Sequence, residues 1–245
     1  MAVRQVRYPI VLFDAGDTLI GPRESFGAVY ARVLKTLGVD LPVKDLERGL
    51  RTGWAEFNRN HEPGKDRYST YPGGEAEYWL YFIERTLQHT PGGPFPANLP
   101  RNALEPLRNA FRDPHAWLVF PDVAPALDEL RSMGVRMGVV SNWDSRLPGL
   151  LEDLGLARYF DAVAVSGLEG IEKPNPEIFL RAVGRLGGTP ATTLHVGDIP
   201  ELDEAGARAA GLASILIDRR GQLGRPGTIS ELTELPRETS SSPRS

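Results

Sequence analysis

Cysteine is absent from the 245 residues. This excludes disulfides, thiolate nucleophiles and cysteine-based zinc or iron–sulfur sites. Lysine is scarce, with 4 against 24 arginines. A basic excess is also missing: 28 Lys and Arg face 32 Asp and Glu, for a net charge of −4. Without a basic tract, affinity for nucleic acid or an anionic membrane is not expected. No apolar run approaches a membrane span, and the first, Ile10–Phe13, is too short even for a signal-peptide core. The sequence therefore predicts a cytoplasmic chain that neither crosses a membrane nor binds nucleic acid. With 41% hydrophobic and 24% charged residues, it has an ordinary globular composition. Its length suits one large domain or a domain carrying an insertion.

Five short apolar runs stop at polar residues. Ile10–Phe13 meets Asp14, 135–140 meets Ser141, Ala162–Val165 meets Ser166, 194–196 meets Gly197 and Asp198, and 213–217 meets Asp218. Runs apolar on both faces are typical of buried parallel strands. Between them, helical spacing over 123–133, 147–154, 178–186 and 202–210 ends each time at a glycine: Gly134, Gly155, Gly187 and Gly211. This alternation predicts an α/β fold, a Rossmann-like doubly wound parallel sheet.

Residues 21–115 break the alternation. Phe26, Val29, Tyr30, Val33, Leu34 and Leu37 make one amphipathic stripe, and Leu46, Leu50, Trp54 and Phe57 a second. Trp79, Phe82, Ile83 and Leu87 suggest a third, and Leu104, Leu107 and Phe111 a shorter fourth. The expected organisation is an α/β core over 1–20 and 116–235, an all-helical insertion over 21–115, and a disordered tail over 236–245. The insertion holds 13 Lys and Arg against 12 Asp and Glu, too balanced to mark a polyanionic substrate. Tyr68 and Tyr71 line a substrate entrance or anchor their loop; both readings stay open.

In an open parallel sheet, ligands bind beyond the carboxyl ends of the strands. Asp14 and Asp198 at those ends suit a hard cation with oxygen ligands, most simply Mg2+. Ser141 at a helix start and Lys173 in the loop after the third run suit a phosphoryl group. A carboxylate beside a metal-bound phosphate is a candidate nucleophile. His195, inside a strand, reads as packing or a sheet-end hydrogen bond, and Asp218 as structural.

Four segments, in order, resemble the haloacid dehalogenase-like hydrolase superfamily, whose members are mostly Mg2+-dependent phosphatases. They are Phe13-Asp14-Ala15-Gly16-Asp17-Thr18-Leu19, Val139-Val140-Ser141-Asn142, Lys173-Pro174-Asn175-Pro176, and His195-Val196-Gly197-Asp198 continuing to Asp203. The insertion falls where the helical cap of that superfamily is placed. The run from Ser141 to Leu147 and the Asp17-Thr18 pair are similar to the branch of domain-containing protein three. The resemblance implies Asp14 as nucleophile and, with the Gly16 carbonyl, Asp198 and Asp203, as the metal site. It implies Ser141, Asn142 and Lys173 as phosphate contacts, Lys173 neutralising charge during transfer, and a small phosphorylated molecule as substrate.

One position departs from the superfamily pattern. Active phosphatases of the family carry an acid/base aspartate two residues after the nucleophile, and here that residue is Gly16. The expectation is a phosphohydrolase that is slow or restricted to good leaving groups. A silent metal- and phosphate-binding module stands as the alternative. A metal-free dehalogenase fits less well, because Asp198 and Asp203 are retained. A phosphonate-cleaving enzyme would need a Schiff-base lysine, and no motif favours Lys35, Lys44 or Lys65.

Overall fold

The computed structural model describes residues 6–239. In chain order its strands are β1 (Ile10–Phe13), β2 (Ile20–Pro22), β3 (Trp117–Val119), β4 (Arg136–Ser141), β5 (Ala162–Val165), β6 (Thr193–Gly197) and β7 (Ala213–Leu216). Two compact units emerge. One comprises 6–21, Pro63–Asp66 and 119–239, and the other comprises Pro22–Glu62 and Arg67–Leu118.

The first unit is the expected α/β layer. Its five strands are parallel in the order β5-β4-β1-β6-β7. Phe13 lies beside Val139 on one side and Val196 on the other, so the residues after these strands share one edge. Val11, Leu12 and Phe13 have no exposed surface, as a strand covered on both faces requires. The helices α5 (Val123–Ser132), α6 (Leu147–Asp153), α7 (Ser166–Glu169), α8 (Pro176–Arg185), α9 (Ala205–Ala209) and α10 (Leu235–Thr239) belong to this unit. Helix α8 begins because the Asn175 side-chain carbonyl accepts from Glu177 N at 3.0 Å and Pro176 occupies the first turn. It buries Ile178, Phe179, Ala182 and Val183 in a cluster with Leu12, Val140 and Ala164. Each large side chain there contributes about 1.5–3 kcal/mol.

The second unit is helical: α1 (Phe26–Thr36), α2 (Val43–Asn60), α3 (Glu75–Gln88) and α4 (Leu99–Arg112). Their apolar stripes meet in a core of Tyr30, Leu34, Leu46, Leu50, Phe82, Ile83, Leu87, Leu99 and Leu107. Trp54 sets its ring edge-on against Phe82, centroids 5.6 Å apart. Tyr68 is buried against Tyr78 at 4.9 Å, which makes it a loop anchor. Among the described residues no helix is long and apolar enough to cross a membrane.

Four features differ from the sequence reading. Strands β2 and β3 form a separate two-stranded sheet, too short and too Gly/Pro-marked to register as strands. The helix expected over 202–210 starts as a π turn, Pro200–Glu204, before α9, with Ala205 N donating to Pro200 O five residues back. The segment Pro63–Asp66, expected within the helical insertion, packs with the α/β unit. The tail expected to be disordered from 236 is helical through Thr239: Pro236 and Thr239 are buried, and Arg7 N donates to Thr239 O at 2.7 Å. The rest of that tail, 240–245, lies outside the described residues.

Candidate active site

Asp14 extends β1 by one residue, its amide donating to Val196 O at 2.9 Å. The chain then turns tightly, with Leu19 and Ile20 both donating to Ala15 O. Asp17 takes a left-handed φ of 50°, which Asp tolerates better than most residues. Its Oδ1 accepts from Arg220 Nη2 at 3.0 Å, so its carboxylate is held by a cation. Asp17 lines a cavity of about 430 Å3 with Asp198, Phe120, Arg219 and Gln222.

Lys173 lies at the centre of the site. Its Nζ donates to Asp14 Oδ1 at 2.7 Å and to Asp203 Oδ1 at 2.6 Å, and the side chain is only 2% exposed. Asn142 grips its backbone: Lys173 N donates to Asn142 Oδ1 (2.7 Å), and Asn142 Nδ2 donates to Lys173 O (2.9 Å). Asn142, read from the sequence as a phosphate contact, is thus placed as a clamp on the lysine. The Ser141 hydroxyl hydrogen-bonds the Asp14 carboxylate.

The π turn delivers Asp203. Besides Lys173, its Oδ1 faces His195 Nε2 at 2.8 Å, and its Oδ2 accepts from Ile199 N at 3.0 Å. Both oxygens are engaged, Oδ1 by Lys173 and His195 and Oδ2 by Ile199, and the carboxylate shares one acidic group with Asp14 and Asp198. His195 Nδ1 has no hydrogen-bond partner among the described residues, so the ring proton belongs on Nε2, donated to Asp203. His195 reads from the sequence as packing or a sheet-end hydrogen bond, and it makes that bond, but its partner Asp203 was not legible. Gly197 was missed as well. A Cβ there would lie 2.2 Å from Asp203 Cγ, so only glycine leaves room for that carboxylate. Gly197→Ala is expected to cost about 1–3 kcal/mol in urea unfolding, the usual range for overpacking a filled site. An unchanged midpoint would contradict the packing.

The charges do not balance. Oxygens of Asp14, Asp198 and Asp203 lie within 4.8 Å of one another, so each pair repels by about 3 kcal/mol or more at an effective dielectric constant of 20. One ammonium offsets three carboxylates. Burial, then the carboxylates of Asp14 and Asp203, pushes the Asp198 carboxyl up to about 7. Burial raises the Asp14 carboxyl as well, against the pull of Lys173. For Asp203 the ammonium of Lys173 and the bond from His195 outweigh burial and hold the carboxyl below its usual range. Lys173 is pushed up, because its two carboxylates outweigh its own burial. Asp198 is half-buried beside the buried Asp14 and Asp203. An all-oxygen donor set with surplus negative charge fits a hard divalent cation such as Mg2+.

A buried lysine among three carboxylates thus lies at the carboxyl edge of a parallel sheet, where α/β enzymes bind their ligands. The family model of haloacid dehalogenase-like hydrolases matches residues 8–211, and the chain belongs to that family. It is 32% identical over 209 residues to haloacid dehalogenase-like hydrolase domain-containing protein 3 of Homo sapiens, covering 85% of this chain and 81% of that protein. It is 30% identical over 223 residues to glyceraldehyde 3-phosphate phosphatase of Methanopyrus kandleri, covering 86% and 84%. Among solved structures it resembles a phosphatase of the same family from Thermococcus onnurineus, with a TM-score of 0.64 and 26% identity over 94% and 96% of the two chains.

Proposed function

We propose that the protein is a Mg2+-dependent phosphohydrolase of small phosphorylated molecules, working through a phosphoryl group carried on Asp14. The observation that carries this is the placement of Lys173 Nζ between Asp14 and Asp203, with the Asp198 carboxylate alongside. The phosphatase relative from Methanopyrus kandleri supports the choice of phosphate ester over other hydrolysable bonds.

Asp14, Asp198 and the Gly16 carbonyl are the groups that would hold the ion, which supplies charge neutralisation for the phosphoryl oxygens. Asp14 attacks phosphorus, forming an acyl–phosphate bond while the bond to the leaving oxygen breaks. Lys173 stays protonated and offsets negative charge on the phosphoryl oxygens. Asn142 and Asp203 keep its main chain and ammonium in place, so little rotamer freedom remains to be lost when substrate binds. Ser141 turns its hydroxyl hydrogen from Asp14 to a phosphoryl oxygen when the substrate binds. Water then attacks phosphorus, frees the Asp14 carboxylate and yields inorganic phosphate. Gly16 has no side chain to protonate the leaving oxygen or to take a proton from that water. Both transfers fall to solvent.

Leaving-group dependence is therefore the test. With Mg2+, acetyl phosphate and p-nitrophenyl phosphate, which leave without help, should turn over about 10²–10⁴-fold faster than a sugar phosphate. EDTA should suppress all three. Equal rates on the three, or rates indifferent to EDTA, would discard the proposal. No turnover of any of them would favour the silent binding module.

A further inference from the structure

The loop that carries Lys173 is held from two directions, and only one belongs to the signature segments. Asn142 grips Lys173 itself. The neighbouring residues are held by Pro63–Asp66, a short stretch far away in sequence that packs with the α/β unit. Lys65 and Ile171 form an antiparallel bridge. Around it, Glu172 N donates to Gly64 O at 3.2 Å and Asp66 N donates to Gly170 O at 3.4 Å. Asn175 Nδ2 adds a third bond to Gly64 O at 3.4 Å, while Asn175 Oδ1 caps α8. Gly64, Asp66, Glu172 and Lys173 are all buried, so these main-chain groups need such partners.

Gly64 is the residue the arrangement depends on. Its φ is 84°, and a Cβ would lie 3.1 Å from Asn175 Cβ. An L side chain there is strained and presses on the loop at the same time. This stretch meets the 170–175 loop at its main chain and at Asn175. Its contact with the site runs through the backbone on both sides of Lys173.

We propose that Pro63–Asp66 is a positioning strap for the 170–175 loop, with Gly64 and Asn175 as positioning residues that keep Lys173 Nζ between Asp14 and Asp203. The kinetic consequence rests on the phosphohydrolase reading, but the structural one does not. A lysine on a flexible stem is useful for charge neutralisation only when its base is fixed, and misplacement by about 1 Å can cost about 10²-fold in rate. The strap supplies that fixity from outside the strand ends that furnish the chemistry.

The chain offers a direct readout because it has four lysines and three of them are exposed. Gly64→Ala and Asn175→Ser are compared with the wild type; serine keeps the cap on α8 and deletes the donor to Gly64 O. Lysines are labelled with acetic anhydride well below each variant's Tm and quantified by mass spectrometry, with Lys35 and Lys44, outside the strap, as internal references. Hydrogen exchange is followed at the Glu172 and Asp66 amides. Both variants are expected to label Lys173 about tenfold faster relative to the references and to exchange those amides faster, as local opening becomes easier. For p-nitrophenyl phosphate with Mg2+, kcat is expected to fall about tenfold or more and KM to change less than about threefold.

Wild-type labelling of Lys173 and wild-type exchange in a folded variant would overturn the strap, even if Tm fell. If Gly64→Ala does not fold, Asn175→Ser decides alone. Labelling and exchange use no substrate. An inactive wild type whose variants expose Lys173 would therefore overturn the phosphohydrolase and uphold the strap.

Discussion

Asp14→Asn is expected to lower turnover by about 10⁴-fold or more, the scale seen when a nucleophile is removed. The metal-free protein is expected to unfold at the same or a higher temperature. The first effect follows from chemistry, since an amide oxygen does not displace an alkoxide from phosphorus. The second follows from the position of the carboxylate. Asp14 is buried, and burial, with the Asp203 carboxylate behind it, raises its carboxyl above the usual range despite Lys173 and Ser141. An acid whose folded pKa lies above its unfolded one favours the folded state when protonated. Once pH exceeds the folded value, the ionised group weighs against folding. Asparagine keeps the shape without the charge. Asp203 makes the opposite case: Lys173 and His195 outweigh its burial and hold its carboxyl low. Its ionised form adds stability above the unfolded carboxyl range, and that stability is lost as acid protonates it. Asp203→Asn should therefore lower Tm at neutral pH. Calorimetry in EDTA on both variants checks the pair. A drop of several degrees for Asp14→Asn would make Asp14 a structural ion-pair partner instead of a destabilised nucleophile.

The contrast between these two aspartates marks where the sequence stopped being readable. Asp14, Ser141 and Asp198 were legible because each ends an apolar run, and parallel strands in register bring such ends to one edge. Lys173 was legible from its loop after the third run and from the resemblance to a family segment, but nothing in Glu-Lys-Pro-Asn marks a buried ammonium. The division of labour among the acids was not legible at all. It depends on the π turn at Pro200–Glu204, which leaves the apolar spacing of 202–210 almost intact while redirecting Asp203. Pro63–Asp66 escaped for another reason. Its hold on 170–175 is made through backbone groups, which leave no trace in side-chain patterning, and Pro-Gly-Lys-Asp reads as a surface turn. Helix α10 was missed because a short polar segment can bury Pro236 and Thr239 without any periodic apolar signal.

Gly16→Asp is expected to speed hydrolysis of a sugar phosphate by about 10²–10⁴-fold, the contribution of a positioned general acid. Acetyl phosphate should respond far less, because its leaving group departs unprotonated. The structure has room for the change: a Cβ on Gly16 meets only Trp143 Cζ3 at 3.4 Å, an ordinary contact, and its φ is outside the left-handed range. Asp17 does not already do this work, since its backbone turns at φ 50° and its carboxylate faces Arg220. The gain should carry a signature beyond rate. A group that must be protonated for the first step adds a basic limb to kcat/KM for the alkyl ester, and its need to be ionised for the second step adds an acidic limb to kcat. The aryl and acyl substrates should show the basic limb more weakly. A fourth carboxylate should also destabilise the metal-free protein, because the site already repels the three it has. A variant that accelerates all three substrates equally would be acting on the shared second step, as base for the attacking water, or on metal retention, and not as acid toward the leaving oxygen. A variant that accelerates none would mean that residue 16 does not face the leaving oxygen, and a missing acid at that position could then not be the cause of slow alkyl turnover.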